Sequence, residues 1–301
     1  MEKTEQESSP ANKFRLVVVG NGMAGVAAVE EVRSLRSDVS ITIFGDEPHP
    51  NYNRILLSEV LAGKQSKEGI FLNPLDWYSK HGIDLRLGVR VCAVHPLERQ
   101  VTDGYGRTTP YDRLLLAMGG RPFIPPITGM ERPGAFVFRT LDDCDAILEQ
   151  CRTDKEAVVI GGGLLGLEAA RALINHGVRV TIVHLMDRLM ERQLDPIGGA
   201  LLKREMERLG ITVLLDASAS EIFGRDGLIE GVRLGDGRMI PAGMVLVCAG
   251  YRPCTDLART AGLSVDRGVV VNDRMQTSDP NIFAVGDVAE HRGKVYGLVA
   301  P

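Results

Sequence analysis

Two short glycine-rich strings in this chain have the composition and spacing to hold a phosphate chain. Gly20-Asn-Gly22-Met-Ala-Gly25 and Gly161-Gly-Gly163-Leu-Leu-Gly166 each follow an apolar run and precede a stretch of helical composition. Strand, then G-x-G-x-x-G, then helix is the context in which that spacing has mechanical meaning. The first glycine allows a tight turn, the second lets a pyrophosphate approach the backbone, and the third lets the helix pack closely on the strand. The phosphates then rest on a helix N-terminus, where free N–H groups and the helix dipole favour anions. One such string is weak evidence. Two with correct flanks mean two dinucleotide sites, or one repeated fold with one site lost.

An acid closing the second strand of such a unit usually accepts the ribose hydroxyls. In the first unit, Val39-Ser-Ile-Thr-Ile-Phe44 leads into Gly45, Asp46 and Glu47, so the carboxylate is displaced and either Asp46 or Glu47 can serve. In the second, Val178-Arg-Val-Thr-Ile-Val183 leads into His184, with Arg188 one helical turn on. No acid stands there to repel the 2′-phosphate of NADP. His184 and Arg188 either bind that phosphate or are solvated, and NADH and NADPH stay equally open. A third motif, Gly286-Asp287, ends a short apolar run, 282–285. Ligands of open α/β sheets bind outside such strand ends. Asp287 there is either an acceptor for a polyol chain or part of a turn.

These residues need a scaffold of alternating strands and helices. Strands are expected at 14–20, 39–44, 157–161, 178–183 and 212–215, and helices at 24–35, 164–175 and 196–209. Antiparallel ribbons are expected through 89–101 with 111–116, and through 221–234 with a turn at Gly235-Asp-Gly237. The fold class is therefore α/β, with two Rossmann-like three-layer dinucleotide-binding domains, the second inserted in the first. The domains divide as 14–122 with 248–301 and 123–247, behind a polar tail over residues 1–13 that reads as disordered.

The 301 residues suffice for two domains, and 44% hydrophobic with 25% charged residues is ordinary globular composition. With 5% aromatics and no basic run the chain lacks the pattern of a nucleic-acid binder, while its net charge of −4 says little about partners. No apolar run approaches the ~20 residues of a membrane helix, and the N-terminus has no secretory apolar core. The chain reads as cytoplasmic. Five scattered cysteines form no C-x-x-C, and six histidines show no ligand spacing, so neither a disulfide framework nor a metal site is expected.

With the three motifs in this order, the chain resembles the flavoproteins with two dinucleotide-binding domains, a family that includes glutathione, ferredoxin and rubredoxin reductases. Within it, the chain is most similar to the N-terminal flavin part of NAD(P)H-dependent nitrite reductase large subunits. The stretches that carry this likeness run through 44–58, 72–78, 184–195 (among them Leu189-Met-Glu-Arg-Gln-Leu-Asp195) and 291–301.

The resemblance implies FAD on the first turn and NAD(P)H on the second. For FAD it implies Gly20, Gly22, Met23, Ala24, Gly25, Asp46 or Glu47, Arg54 and Ser58 near the flavin, Val91 by the adenine, Ala117-Met118-Gly119, Arg121, and Gly286-Asp287 at the ribityl chain. For NAD(P)H it implies Gly161, Gly163, Leu164, Leu165, Gly166, Glu168, His184, Arg188 and Gly250, with Glu168 orienting the nicotinamide. The implied activity is an FAD-dependent NAD(P)H oxidoreductase that sends electrons to a redox protein or to a fused or associated iron–sulfur or sirohaem domain. An NAD(P)H oxidase making peroxide and a non-enzymatic flavin-binding remnant are the alternatives.

Three departures qualify the likeness. No cysteine lies between Gly45 and Leu72, so the dithiol relay of the disulfide reductases is missing. Glu59 follows Ser58 where ferredoxin and rubredoxin reductases often place a lysine. The sequence stops at Pro301, before the family's C-terminal interface domain, so a monomer or weak dimer unable to reduce nitrite alone is expected.

Overall fold

A computed structural model describes residues 13–296. Of the tail expected over 1–13, residues 1–12 lie outside that span, as do residues 297–301 of the 291–301 stretch. The described residues form two compact units. One takes 13–52, 71–120 and 253–296, and the other takes 53–70 and 121–252.

The first unit is built on a parallel sheet in the order Ile282–Ala284, Arg113–Leu116, Arg15–Val19, Ser40–Gly45 and Ile83–Leu87. Its central strand is apolar on both faces because both are covered. Val17 and Val19 pack into one core, Val18 into another with Val29 of the helix Met23–Leu35. Each such buried valine contributes about 1.5–3 kcal/mol. The first of these cores also holds Val91, Val94 and Val101 of an antiparallel ribbon, Val91–His95, Gln100–Asp103 and Thr108–Pro110.

The sequence reading puts 111–116 in that ribbon. Arg113–Leu116 instead pairs parallel with Arg15–Val19, and Thr108–Pro110 is the ribbon's third strand. Leu114 and Leu116 are fully buried, which a one-faced ribbon does not provide.

The second unit repeats the plan, with sheet order Thr212–Leu214, Arg179–Val183, Glu156–Ile160, Met244–Val247 and Ala135–Val137. The helix Leu164–Asn175 follows its first strand, and Ala219–Arg225, Leu228–Leu234 and Met239–Pro241 form its antiparallel ribbon. Gly237, at φ +89°, closes the last turn of that ribbon. A further helix, Leu141–Thr153, starts with a capping box in which Thr140 and Asp143 satisfy each other's backbone N–H groups. The helix Pro196–Arg208 is capped by Asp195.

The domain boundaries read from sequence fall at 122/123 and 247/248. The compact units change at 120/121 and 252/253, and 53–70 groups with the second unit. Its helix Leu57–Leu61 buries Leu57, Val60 and Leu61 and packs on Leu141–Thr153 and Leu164–Asn175. His176 Nε2 donates to Leu61 O (2.7 Å), and Asn175 donates to Ala62 O (3.3 Å). The strands Gly120–Pro122 and Tyr251–Pro253, where the chain leaves and re-enters the first unit, pair as a two-stranded sheet.

Candidate dinucleotide sites

In the first unit Gly20 sits at φ +114°, and its N–H donates to Phe44 O (2.8 Å). A Cβ at Gly20 would lie 2.2 Å from Ala117 O, and one at Gly25 would lie 2.6 Å from Gly20 O. Only glycine permits either approach. A Cβ at Gly22 meets nothing within 4 Å, so there the backbone faces open space. Gly22 is also the N-cap of Met23–Leu35 and supplies no side-chain cap, which leaves the start of the helix to an external acceptor.

The other residues assigned to FAD in this unit gather at the same sheet edge. Ala117 N–H donates to Val19 O (2.8 Å), which places the Ala117-Met118-Gly119 turn beside the first. A Cβ on Gly286 would come within 2.7 Å of the Ala24 methyl, so Gly286-Asp287 abuts the helix start. Asp287 lines a concavity of ≈ 360 Å³ with Met275, Gly286, Ala289, His291 and Tyr296. Val91 heads the ribbon just past Val89, whose N–H donates to Gly45 O (2.9 Å). The two candidate acids differ. Asp46 is exposed and paired with Arg90 (2.8 Å), whereas Glu47 accepts the Tyr52 hydroxyl (2.6 Å).

Sequence reasoning missed the backing of this turn. Tyr78 is 2% exposed and donates its hydroxyl to Asn21 Oδ1 (2.9 Å), while Asn51 N–H donates to the Tyr78 oxygen (3.3 Å). Asn51 donates to Asn73, and Asn73 donates to Glu30 (2.7 Å). These residues span the chain from 21 to 78, so no local pattern announces them.

The second unit reproduces the cradle. Gly161, at φ +121°, donates its N–H to Val183 O (2.9 Å). A Cβ there would lie 2.3 Å from Cys248 O, and one at Gly166 would lie 2.0 Å from Gly161 O. Gly163 is open, caps Leu164–Asn175 without a side chain, and is flanked by the exposed Leu164 and Leu165. Gly250, at φ +104°, closes the turn after Cys248, as Gly119 does after Ala117. Both turns therefore fit a pyrophosphate, with open backbone at the second glycine and uncapped helix N–H groups beside it.

His184 and Arg188 are not the solvated pair that one sequence reading allows. His184 is 7% exposed, and Arg188 is spent on Asp187, Leu194 O and Glu191 O.

Glu168, on the second turn of Leu164–Asn175, is half-buried. Burial pushes its carboxyl above the usual range, a hydrogen bond from Ser58 opposes the shift, and the neighbouring Glu59 charge adds to it. Ser58, Glu59 and Glu168 thus stand together in the second unit. Arg54, in the same unit, donates to Arg139 O, and Arg121 is the first residue of that unit's second segment. Among the described residues no cluster of His, Cys, Asp or Glu could hold a metal ion, and all five cysteines are free thiols.

Residues 14–299 match the model of the pyridine nucleotide-disulphide oxidoreductases. The chain belongs to this family. Its members are FAD- and NAD(P)H-dependent oxidoreductases, the two cofactors that the paired turns accommodate. A nitrite reductase [NAD(P)H] of Bacillus subtilis (strain 168) is 51% identical over 290 residues, 96% of this chain and 36% of the relative. An assimilatory nitrate reductase electron transfer subunit of the same organism is 47% identical, covering 96% of this chain and 38% of the relative. The chain thus spans little more than a third of these relatives. The crystal structure of a covalent putidaredoxin reductase–putidaredoxin complex matches with a TM-score of 0.88 at 34% identity, covering 92% of this chain and 68% of that one. Among the described residues no helix is long and apolar enough to cross a membrane.

Proposed function

We propose that this chain is the electron-entry module of a reductase: NAD(P)H delivers reducing equivalents to FAD, and a partner redox centre receives them. The observation that carries the reading is the duplicated cradle, Gly20–Gly25 and Gly161–Gly166, open at Gly22 and Gly163 alike. FAD falls to the first unit and NAD(P)H to the second. When bound, the pair supplies hydride transfer from nicotinamide to flavin, the hard chemistry that a protein leaves to cofactors.

The side chains have simpler tasks. Backbone N–H groups after Gly22 and Gly163 hold the phosphates. Asp287, at its strand end, accepts from the ribityl chain, and Glu47 or Asp46 accepts from the ribose. Ser58 steadies Glu168, which orients the nicotinamide amide. None of these tasks needs an acid–base pair, and residues 45–72 hold no dithiol to relay electrons.

Names among the relatives support an external acceptor: a nitrite reductase, a nitrate reductase electron transfer subunit and a putidaredoxin reductase. We infer an iron–sulfur or sirohaem centre, fused or associated, as the partner here, and a cytoplasmic setting in keeping with five free thiols.

The test is an anaerobic titration of the yellow protein with each nucleotide. Bleaching of the flavin band by NADH or NADPH, with slow oxygen consumption in air, is the expected result. Rapid oxygen consumption favours the peroxide-forming alternative. A flavin that neither nucleotide bleaches overturns the proposal.

A further inference from the structure

The acid that reads the ribose of a dinucleotide stands roughly 20 residues after the glycine turn. In the second unit that place, directly after the strand Arg179–Val183, belongs to His184. The ring of His184 is fully engaged. Gly162 N–H donates to its Nδ1 (3.0 Å). A backbone N–H can only donate, so Nδ1 is the acceptor and the ring proton sits on Nε2. Nε2 faces Glu191 Oε2 at 3.2 Å. His184 therefore has no N–H left for a phosphate, and its one remaining donor holds a carboxylate in place.

Glu191 lies on the loop between Val183 and the helix Pro196–Arg208, and its side chain is 23% exposed, with Oε2 held by His184. The nearby cations do not form a phosphate site around it. The Arg188 guanidinium bonds Asp187, Leu194 O and Glu191 O within its own loop. Arg192 is 74% exposed and lies 3.8 Å from Glu191 Oε1, a long, solvent-screened ion pair that leaves the carboxylate its charge. Asp187 adds a second carboxylate to the loop.

We infer that Glu191, presented by His184, replaces the strand-end acid and restricts the second turn to a ribose with a free 2′-hydroxyl, so that this chain uses NADH in preference to NADPH. A carboxylate accepts from the 2′-hydroxyl of NADH and repels the 2′-phosphate of NADPH, and like charges brought together in this way cost a factor on the order of 100 in affinity. The inference rests on the reading that the second turn binds a nicotinamide dinucleotide.

The experiment measures equilibrium binding of NAD+ and NADP+ by titration calorimetry to the FAD-loaded chain, at one ionic strength, for wild type, Glu191→Gln and Arg192→Gln. Glutamine keeps a carbonyl for the His184 Nε2–H and removes only the charge. Wild type is expected to bind NAD+ on the order of 10- to 100-fold more tightly. Glu191→Gln should narrow that ratio at least about fivefold, by weakening NAD+ and strengthening NADP+, at an unchanged unfolding midpoint. Arg192→Gln should leave the ratio within about twofold. Wild type that binds NADP+ as well or better, or a ratio unmoved by Glu191→Gln, overturns the inference, as does loss of NADP+ binding in Arg192→Gln. NAD+ preference without flavin bleaching supports this inference and sinks the proposed function instead. Binding of neither nucleotide overturns both.

Discussion

The two glycine turns share a backbone and differ in what stands behind it. Gly20 and Gly161 take similar positive φ values, +114° and +121°, and each passes close to a carbonyl of the strand-end turn, Ala117 O in one unit and Cys248 O in the other. The residue after each turn's first glycine breaks the likeness. In the first unit it is Asn21, held by Tyr78 and through it by Asn51, Asn73 and Glu30. In the second it is Gly162, which has no side chain because His184 and Leu189 would lie 2.8 and 2.6 Å from its Cβ. The phosphate cradle is thus fixed by steric rules common to both units, while the support behind it, and with it the cofactor each turn suits, is set separately.

The sharpest way to break the pairing is to fill one cradle. Gly166→Ala puts a methyl 2.0 Å from Gly161 O and should cost about 2–5 kcal/mol of the second unit's stability. Denaturant unfolding should show that loss, and a flavin that stays bound yet no longer bleaches would localise it. Gly25→Ala should do the converse and release the flavin. If both variants lose the same cofactor, the assignment of one dinucleotide to each unit is wrong.

Tyr78→Phe addresses the first unit's backing. It strips buried partners from Asn21 and Asn51 and should destabilise by about 1–3 kcal/mol, with weaker flavin retention on dilution. The second turn is backed by a different residue, His184, which accepts from Gly162 N–H (3.0 Å), so nucleotide affinity should not change.

A smaller effect is expected from Glu168→Gln. The folded-state pKa of Glu168 is raised, so between the ordinary carboxylate value and the raised one the folded chain binds the extra proton. Stability must fall as pH rises through that window and lie lower above it. Glu168→Gln should remove that slope in thermal unfolding at several pH values, and an unchanged slope would mean that Glu168 is not desolvated. Smallest of all is Arg90→Ala, which breaks an exposed pair with Asp46 and should change stability by about 0–1 kcal/mol. A large loss of flavin in that variant would make Asp46, not Glu47, the ribose acid.

Much of this was readable from the chain because the decisive features are local. Two apolar runs, each ending in G-x-G-x-x-G, dictate strand, turn and helix within about 15 residues. The helix Leu164–Asn175 begins and ends where composition puts it. Residues 111–116 were harder, since a short apolar run suits a ribbon or a central parallel strand equally, and only burial on both faces separates them. Local composition likewise cannot say that 53–70 packs with helices about 100 residues downstream. The box Thr140-Leu-Asp-Asp143 was a legible helix start that the strand-and-turn reading passed over. At the site, spacing placed an acceptor after the second strand but had no means of passing from His184 to Glu191, seven residues on. That link exists only because the loop folds back on the ring.

The interleaving of the two units also sets an order of assembly. Synthesis supplies 53–70 and then 121–252, so every residue of the second unit has emerged by Arg252. The first unit starts earlier, with Arg15–Val19, yet its sheet lacks an edge strand until Ile282–Ala284 arrives to pair with Arg113–Leu116. On a ribosome adding residues from the N-terminus, the half that is begun first is the half that must wait, holding an unpaired strand edge while its neighbour closes.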